Sequence, residues 1–248
     1  MSALLLFSFL AGLLDAIVGG GGLIQLPALL VVRHADPIGT LLGTNKVAAL
    51  AGVLVASWTY LKRVHVDRSR LACAALLAAG GSVAGAWAVS LISPRSFRSV
   101  ALVLIVVVGI IVMWRSDLGV VPTRKTDRVR TWLLLCTAIG IYDGFFGPGT
   151  GTFLIFASVW LMGMEFVGAS VHAKVINAAT NLAAVAVFAW RGEILWQLAF
   201  PMAACNMLGS FFGARIALAR GSGFVRVVFL VVVGALALRL AIDLFSGA

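Results

Sequence analysis

Charged residues are scarce in this sequence of 248 residues. Lys, Arg, Asp and Glu together make up 11% of the chain, hydrophobic residues make up 62%, and the mean hydropathy is +1.09. A water-soluble domain carries about 25% charged residues, because polar groups must cover its surface. The composition therefore excludes water-soluble enzymes, nucleic-acid-binding domains and disordered proteins, and it predicts a chain that is solvated by lipid.

Acidic residues and cysteines are both scarce. Nine Asp and Glu stand against 19 Lys and Arg, which gives a net charge of +10. In an apolar chain this excess indicates basic loops held at the cytoplasmic side of a membrane. Cys73, Cys136 and Cys205 each lie in an apolar run, and an odd number of such cysteines argues against a disulfide framework. The N-terminal stretch also lacks a basic region and an A-x-A cleavage pattern, so we expect a permanent membrane segment there.

Apolar segments of the length that a membrane helix requires, about 20 residues, fill most of the chain. They cover residues 3–32, 38–61, 71–92, 97–114, 132–164, 167–190, 194–218 and 225–244. We therefore expect an all-α membrane protein with about eight hydrophobic segments. The longest polar stretch, 115–130, is the expected cytoplasmic linker between residues 1–114 and residues 131–248.

The two halves of the chain match each other at a spacing of 128 residues. Gly12, Gly19 and Gly21 correspond to glycines at 140, 147 and 149. The matches of rarer residues carry more weight: they pair Asp15 with Asp143 and Lys46 with Lys174. We interpret the halves as two homologous repeats of four segments each, which is the common design of secondary transporters.

Glycines interrupt the first segment of each predicted repeat, at 19–22 and at 147–151. Glycine lowers helix stability by about 1 kcal/mol per residue, so a cluster of glycines should break the helix. Non-helical backbone at membrane depth must be buried in protein or line a watery cavity, and we expect these breaks to face one. Two topologies remain open: the broken segments cross fully and the repeats are parallel, or they turn back as re-entrant hairpins and the repeats are inverted. The positive-inside rule slightly favours inversion.

Four charged residues match at the repeat spacing and lie inside the apolar segments away from the segment ends, where each costs about 2.5–3.5 kcal/mol to insert. They are Asp15, Asp143, Lys46 and Lys174. One interpretation is structural: an Asp and a Lys of the same repeat neutralise each other. The other assigns the lysines to an anionic substrate and leaves the aspartates a structural or gating role, because a carboxylate would repel an anion.

The glycine breaks favour anion binding for an independent reason. A helix that restarts after a break, near Leu23 and Thr152, presents unpaired N–H groups and the positive end of its dipole. Polar side chains lie near the lysines in the sequence: Asn45 precedes Lys46, and Asn177 and Asn181 follow Lys174 on one helix face. The candidate substrate-binding residues are Gly20, Gly21, Gly22, Asn45, Lys46, Gly149, Thr150, Gly151, Lys174, Asn177 and Asn181. For the asparagines, the alternative is hydrogen bonding between helices.

His172 completes the candidates for gating or coupling, with Asp15 and Asp143. A histidine changes its charge near neutral pH and could act as a proton-linked switch. The alternative is a histidine at the end of a helix near the membrane interface. Gln25 could reach either the cavity or a neighbouring carbonyl group.

Several stretches resemble a known family. They are GLLDAIVGGGGLIQLPALL from Gly12, GTNKVAAL from Gly43, GIYDGFFGPGTGTF from Gly140, HAKVINAATN from His172 and GSFFGARIAL from Gly209. Together they resemble the sulfite exporter TauE/SafE family of membrane permeases, also called toluene sulfonate uptake permeases, and most closely its YfcA-like branch. The resemblance covers essentially the whole chain. It implies a duplicated multi-pass permease of the cell membrane for small anionic sulfur compounds, which many members export.

The sequence thus predicts a secondary transporter that binds a small anion between the repeats and exposes it alternately to each side. We expect no cofactor, no metal and no nucleic acid; the expected partners are the anion and the lipid bilayer, and a homodimer stays open. The first alternative is a permease for a cation or neutral solute that binds to Asp15 and Asp143. An intramembrane enzyme is the second, although no G-x-S-x-G or H-E-x-x-H motif is present. A purely structural subunit would not need charges at membrane depth.

Overall fold

All regular structure in the described part of the chain is α-helical. A computed structural model describes residues 2–64, 66–89, 91 and 128–245. The helices in these ranges are α1 (Ser2–Val18), α2 (Gly22–Val32), α3 (Ile38–Leu61), α4 (Arg68–Val89), α5 (Val129–Phe145), α6 (Thr150–Met162), α7 (Phe166–Trp190) and α8 (Trp196–Phe245). The segment expected over 97–114 and most of the linker expected over 115–130 lie outside the described residues.

Four of these helices are long and apolar enough to cross a membrane. They are α3, α4, α7 and the part of α8 that covers Trp196–Val225. α8 consists of two helices that meet at Gly221, whose φ of 73° is non-helical. The expected all-helical membrane architecture is therefore confirmed.

The long segments expected over 3–32 and 132–164 are each divided into two shorter helices. α1 ends before Gly19 (φ +82°), and α5 ends shortly before Gly147 (φ +95°) and Gly149 (φ +83°). Residues with a Cβ rarely adopt these backbone angles. Glycine at these positions therefore permits the chain to change direction sharply between the two helices. The predicted helix breaks are confirmed, and the second helices restart at Gly22 and Thr150.

Each broken segment turns back on itself as a hairpin. The beginning of α1 and the end of α2 lie together, since Leu4, Val32 and Arg33 line one surface pocket. In the second hairpin the Nε1–H of Trp132, near the beginning of α5, donates to Ser158 Oγ near the end of α6 at 3.2 Å. Both hairpins are therefore re-entrant in shape and end at the side where they began.

The hairpins enter the helix bundle from opposite ends. At the first, which we call the Arg33 end, α1 begins beside Trp196, the first residue of α8. At the other, the Lys62 end, Trp132 of α5 packs in the same apolar cluster as Tyr60 and Leu71. This opposition is what the inverted topology requires of the two hairpins.

Helices from the two halves pack on each other through glycine. A Cβ added at Gly12 of α1 would lie 2.1 Å from the carbonyl oxygen of Asn206 in α8. A Cβ at Gly140 of α5 would lie equally close, 2.1 Å, to the carbonyl oxygen of Ala78 in α4. These two contacts are related by the spacing of 128 residues in both partners. The helix that opens each half is thus held against a helix of the other half.

Candidate functional site

The two helix breaks contact each other inside the protein. A Cβ added at Gly19 would lie 2.2 Å from the carbonyl carbon of Gly151, and one added at Gly22 would lie 3.1 Å from the Cα of Pro148. The hydroxyl of Thr152 donates to the carbonyl of Val18 across the same contact, at 3.0 Å. This mutual packing buries the breaks in protein, whereas the watery cavity that we expected them to face stays a prediction.

The candidate residues of both breaks lie within this contact. Gly20 and Gly21 are buried, as are Gly149, Thr150 and Gly151, whereas Gly22 is half-buried. The backbone of the breaks uses several of the amides that the sequence led us to expect free. Leu23 N donates to Gly20 O at 3.1 Å, and Thr150 N donates to Gly147 O at 3.1 Å. The Thr150 hydroxyl also donates to Gly147 O, at 2.7 Å.

Lys46 of α3 reaches the break of the second half. Its Nζ lies 2.8 Å from Asp143 Oδ1, and the two side chains are only 3% and 2% exposed. A Cβ added at Gly147 would lie 2.8 Å from the same Nζ. A side chain at Gly147 would therefore occupy the space beside the break in which the Lys46 ammonium group lies.

Lys174 of α7 reaches the break of the first half in the corresponding way. Its Nζ lies 2.8 Å from Asp15 Oδ2, with the lysine side chain fully buried and the aspartate side chain 16% exposed. The same Nζ also donates to the backbone carbonyl of Asp15. The other oxygen, Asp15 Oδ1, accepts from Gly21 N at 3.3 Å and so ties the end of α1 to the start of α2.

The expected pairing of an Asp and a Lys within one repeat is wrong. Asp15 pairs with Lys174, and Asp143 pairs with Lys46, so each ion pair joins one half of the chain to the other. The physical reason is the helix packing: the breaks of both halves meet at one place, and α3 and α7 each bring their lysine to the break of the opposite half. Both lysines therefore hold a carboxylate counter-ion.

The asparagine candidates differ from one another in their surroundings. Asn181 Nδ2 donates to both the carbonyl oxygen and Oδ1 of Asn177, each at 2.7 Å, so the shared helix face is confirmed. The alternative expected hydrogen bonds between two helices. These bonds instead lie within α7. Asn45 is buried beside Lys46, and its Oδ1 has no hydrogen-bond partner among the described residues.

His172 lies near the beginning of α7 and is 7% exposed. Its Nδ1 lies 2.9 Å from Gly168 O, one turn earlier on the helix. Its ring contacts Trp132 edge-on, with the ring centroids 6.1 Å apart. The histidine is thus packed between α7 and α5 towards the Lys62 end, as a helix-end residue would be, and the two ion pairs form without it.

The polar cluster that Gln25 forms beside the first hairpin was not predicted from the sequence. Asn206 of α8 donates from Nδ2 to Gln25 Oε1 at 2.7 Å, and the Ser210 hydroxyl donates to Gly12 O at 3.1 Å. Gln25 Nε2 is buried without a hydrogen-bond partner in the described part of the chain. An asparagine in the middle of an apolar membrane segment was the available signal, because such a side chain needs a partner.

The described residues hold no cluster of three His, Cys, Asp or Glu side chains of the kind that binds a metal ion. The centre itself brings together two ammonium groups, two carboxylates and the polar backbone of two helix breaks, and these groups act electrostatically.

Comparison with known proteins places the chain among transporters. The family model described as sulfite exporter TauE/SafE matches residues 4–240. A probable membrane transporter protein of Sinorhizobium, ORF9, is 35% identical over 98% of this chain and 93% of its own length. A probable membrane transporter protein of Haemophilus influenzae is 35% identical over 91% of this chain and 88% of its own. The probable membrane transporter protein YfcA of Escherichia coli K12 is 30% identical over 98% of this chain and 90% of its own. No solved structure matches.

Proposed function

Because the chain belongs to the sulfite exporter TauE/SafE family, we propose that it exports a small anionic sulfur compound, such as sulfite or an organosulfonate. The relatives are named as membrane transporters, and this chain is likewise an integral membrane transporter and not an enzyme. The sulfur-containing substrate and the direction of transport are our proposal, and the family description supports both.

We also propose that the chain crosses the cell membrane several times with the Lys62 end in the cytoplasm. The basic residues at that end whose side chains the structure describes are Lys62, Arg63, Arg68, Arg70, Arg128, Arg130, Arg215 and Arg220, whereas those at the Arg33 end are Arg33 and Arg191. Lys and Arg accumulate in cytoplasmic loops of membrane proteins. This orientation puts the start of the first hairpin outside and the start of the second hairpin inside.

One observation carries the proposed mechanism: each half supplies a lysine to the helix break of the other half. Both ammonium groups lie at the contact between the halves, where repeat-built transporters bind their substrates. The dipoles of α2 and α6 present their positive ends at the same place. An anion that enters between the halves would therefore meet positive charge from both.

In the proposed cycle the carboxylates and the transported anion compete for the lysines. In the two ion pairs the four charges sum to zero. A small oxyanion takes the place of a carboxylate at an ammonium group, and the two hairpins then move relative to each other to expose it to the other side. Because the contacts of Gly19 with Gly151 and of Gly22 with Pro148 join the hairpins, this contact is the one that must open.

The test is anion transport by the purified protein in proteoliposomes. Replacing Lys46 alone would leave Asp143 as an unpaired buried charge, so the useful variant is Lys46→Met with Asp143→Leu, which removes the cation and its counter-ion together. We expect sulfite or organosulfonate flux to fall to the level of empty liposomes. Arg68→Gln, which removes an exposed cation of α4, serves as the control and should keep its flux.

Undiminished anion flux in both this variant and the corresponding variant, Lys174→Met with Asp15→Leu, would reject the lysine site. The rival, a permease for a cation or neutral solute, predicts a different pattern. Asp15→Asn or Asp143→Asn would then abolish binding, while lysine changes would only lower stability.

A further inference from the structure

A long groove separates α3 from α8 on the outer surface of the helix bundle. The two helices are close at Gly52, where an added Cβ would lie 1.8 Å from Asn206 Oδ1. Towards the Lys62 end they leave a groove of about 1190 Å³ between them. This volume is larger than that of a typical pocket for a drug-sized ligand, about 300–1,000 Å³.

The walls of the groove are apolar along most of its length. Leu54 and Trp58 of α3 are 52% and 66% exposed, and Met207 of α8 is 41% exposed. The wall on α3 runs from Ala51 to Lys62, which is about 16 Å at 1.5 Å per residue. One leaflet contributes about half of the 30 Å hydrocarbon thickness of a bilayer. The groove thus has the length of one leaflet.

Three cations line the mouth of the groove at the Lys62 end: Lys62, Arg63 and Arg215. Lys62 Nζ lies 4.4 Å from the centroid of the Trp58 ring, and the guanidinium carbon of Arg215 lies 4.0 Å from that of Phe211. The residues that line the groove include no Asp or Glu. The mouth therefore carries positive charge that the groove itself does not neutralise.

We propose that this groove binds one anionic phospholipid. Its phosphate contacts Lys62, Arg63 and Arg215, and an acyl chain lies along Leu54 and Met207. Basic pockets between membrane helices recognise anionic headgroups in this way. The charge complementarity favours a lipid over a second copy of this chain, because two copies in the same orientation would bring their basic Lys62 ends together. This site is separate from the helix breaks, so it does not depend on the proposed substrate.

The test compares phosphatidylglycerol with phosphatidylcholine of the same acyl chains. The full-length protein in a neutral detergent is titrated with each lipid, and lipid retention in native mass spectrometry and the thermal midpoint are recorded. We expect phosphatidylglycerol to be retained and to raise the midpoint, because a ligand stabilises the form that binds it. Phosphatidylcholine should do neither to the same extent.

The decisive variant is Lys62→Gln with Arg63→Gln and Arg215→Gln. At about 1 kcal/mol per cation near a membrane surface, its affinity for phosphatidylglycerol should fall on the order of a hundredfold. The matched control, Arg68→Gln with Arg128→Gln and Arg130→Gln, removes three exposed cations at the same end but outside the groove, and should keep the affinity. Bromine-labelled phosphatidylglycerol should quench the fluorescence of the natural protein more than that of Trp58→Phe.

Four results would overturn the proposal. Equal retention of the two lipids would show that the headgroup charge is not recognised, and equal losses in the two triple variants would show general attraction to the basic end. An equal midpoint shift with glycerol 3-phosphate alone would assign the groove to a soluble anion. A change of oligomeric state in the groove variant, without a change in lipid retention, would assign the groove to a second copy.

Discussion

The two buried ion pairs occupy corresponding positions in the two halves but differ in how fully their polar groups are used. In the pair of Asp15 with Lys174, one carboxylate oxygen binds the ammonium group and the other binds the amide of Gly21. In the pair of Asp143 with Lys46, Oδ1 binds the ammonium group and Oδ2 is buried without a partner in the described residues. The Asp15 side chain is also 16% exposed, against 2% for Asp143.

The difference indicates different roles for the two pairs: both carboxylate oxygens of Asp15 are hydrogen-bonded, whereas Asp143 has one oxygen without a partner in the described residues. Asp15 holds the first hairpin closed, because its carboxylate joins the end of α1, the start of α2 and α7. Asp143 keeps one acceptor free in a place where an unused polar group is costly. Under the proposed mechanism, the pair of Lys46 with Asp143 is then the one that rearranges, and the other pair mainly maintains the structure.

The largest expected effect follows from Lys46→Met. It leaves Asp143 buried, charged and without a counter-ion, which costs about 3–5 kcal/mol. Denaturant unfolding in detergent measures this loss. The double variant Lys46→Met with Asp143→Leu should recover most of it, because no charge is then left unpaired; a double variant as unstable as the single one would contradict the ion-pair explanation.

Lys174→Met should lower the free energy of unfolding by less, about 2–3 kcal/mol. The cause is again a carboxylate left without its counter-ion, here Asp15. Asp15 keeps its hydrogen bond from Gly21 and its partial contact with solvent, so its charge is better accommodated than that of Asp143. The same unfolding measurement serves for both lysine variants. Equal losses in the two would remove the distinction between the pairs.

Gly147→Ala tests the place of Lys46 without changing any charge. The φ of +95° is unfavourable for alanine, and its Cβ would lie 2.8 Å from Lys46 Nζ. We expect a loss on the order of 1–2 kcal/mol from the backbone strain, together with a clear loss of anion flux in proteoliposomes. Gly80→Ala is the control: a Cβ there meets nothing within 4 Å, and alanine favours the helix.

Gln25→Leu should have the smallest effect, about 1 kcal/mol or less. It removes the acceptor of the hydrogen bond from Asn206 Nδ2, but it also removes the buried Nε2 that has no partner in the described residues, and these two consequences oppose each other. Asn206→Leu provides the comparison, because it removes the partner and leaves both polar ends of Gln25 unsatisfied. A larger loss in Gln25→Leu than in Asn206→Leu would contradict this account of the cluster.

Composition and glycine placement were sufficient to predict the helical fold and the positions of both breaks. Low charge content required membrane helices, and glycine clusters required interruptions, because both effects are local. The repeat spacing also identified Asp15, Asp143, Lys46 and Lys174 as unusual. The predicted division into domains 1–114 and 131–248 stays a prediction.

The exchange of partners between the halves could not be predicted from local rules. Which lysine meets which aspartate depends on the helix packing, and two equivalent copies of each residue offer two solutions with the same charge balance. Asn206 was missed because Ala78 stands at the corresponding position of the first half, so the comparison of repeats gave it no weight.

The exchange of ion-pair partners has a consequence for biogenesis. Lys46 enters the membrane while the ribosome has not yet made Asp143, and Asp15 waits even longer for Lys174. The nascent first half thus carries one positive and one negative charge whose final partners do not yet exist, and each is expensive to expose to lipid. The insertion machinery must shelter these side chains, or they must pair with each other temporarily, until the second half arrives and releases them to their permanent partners.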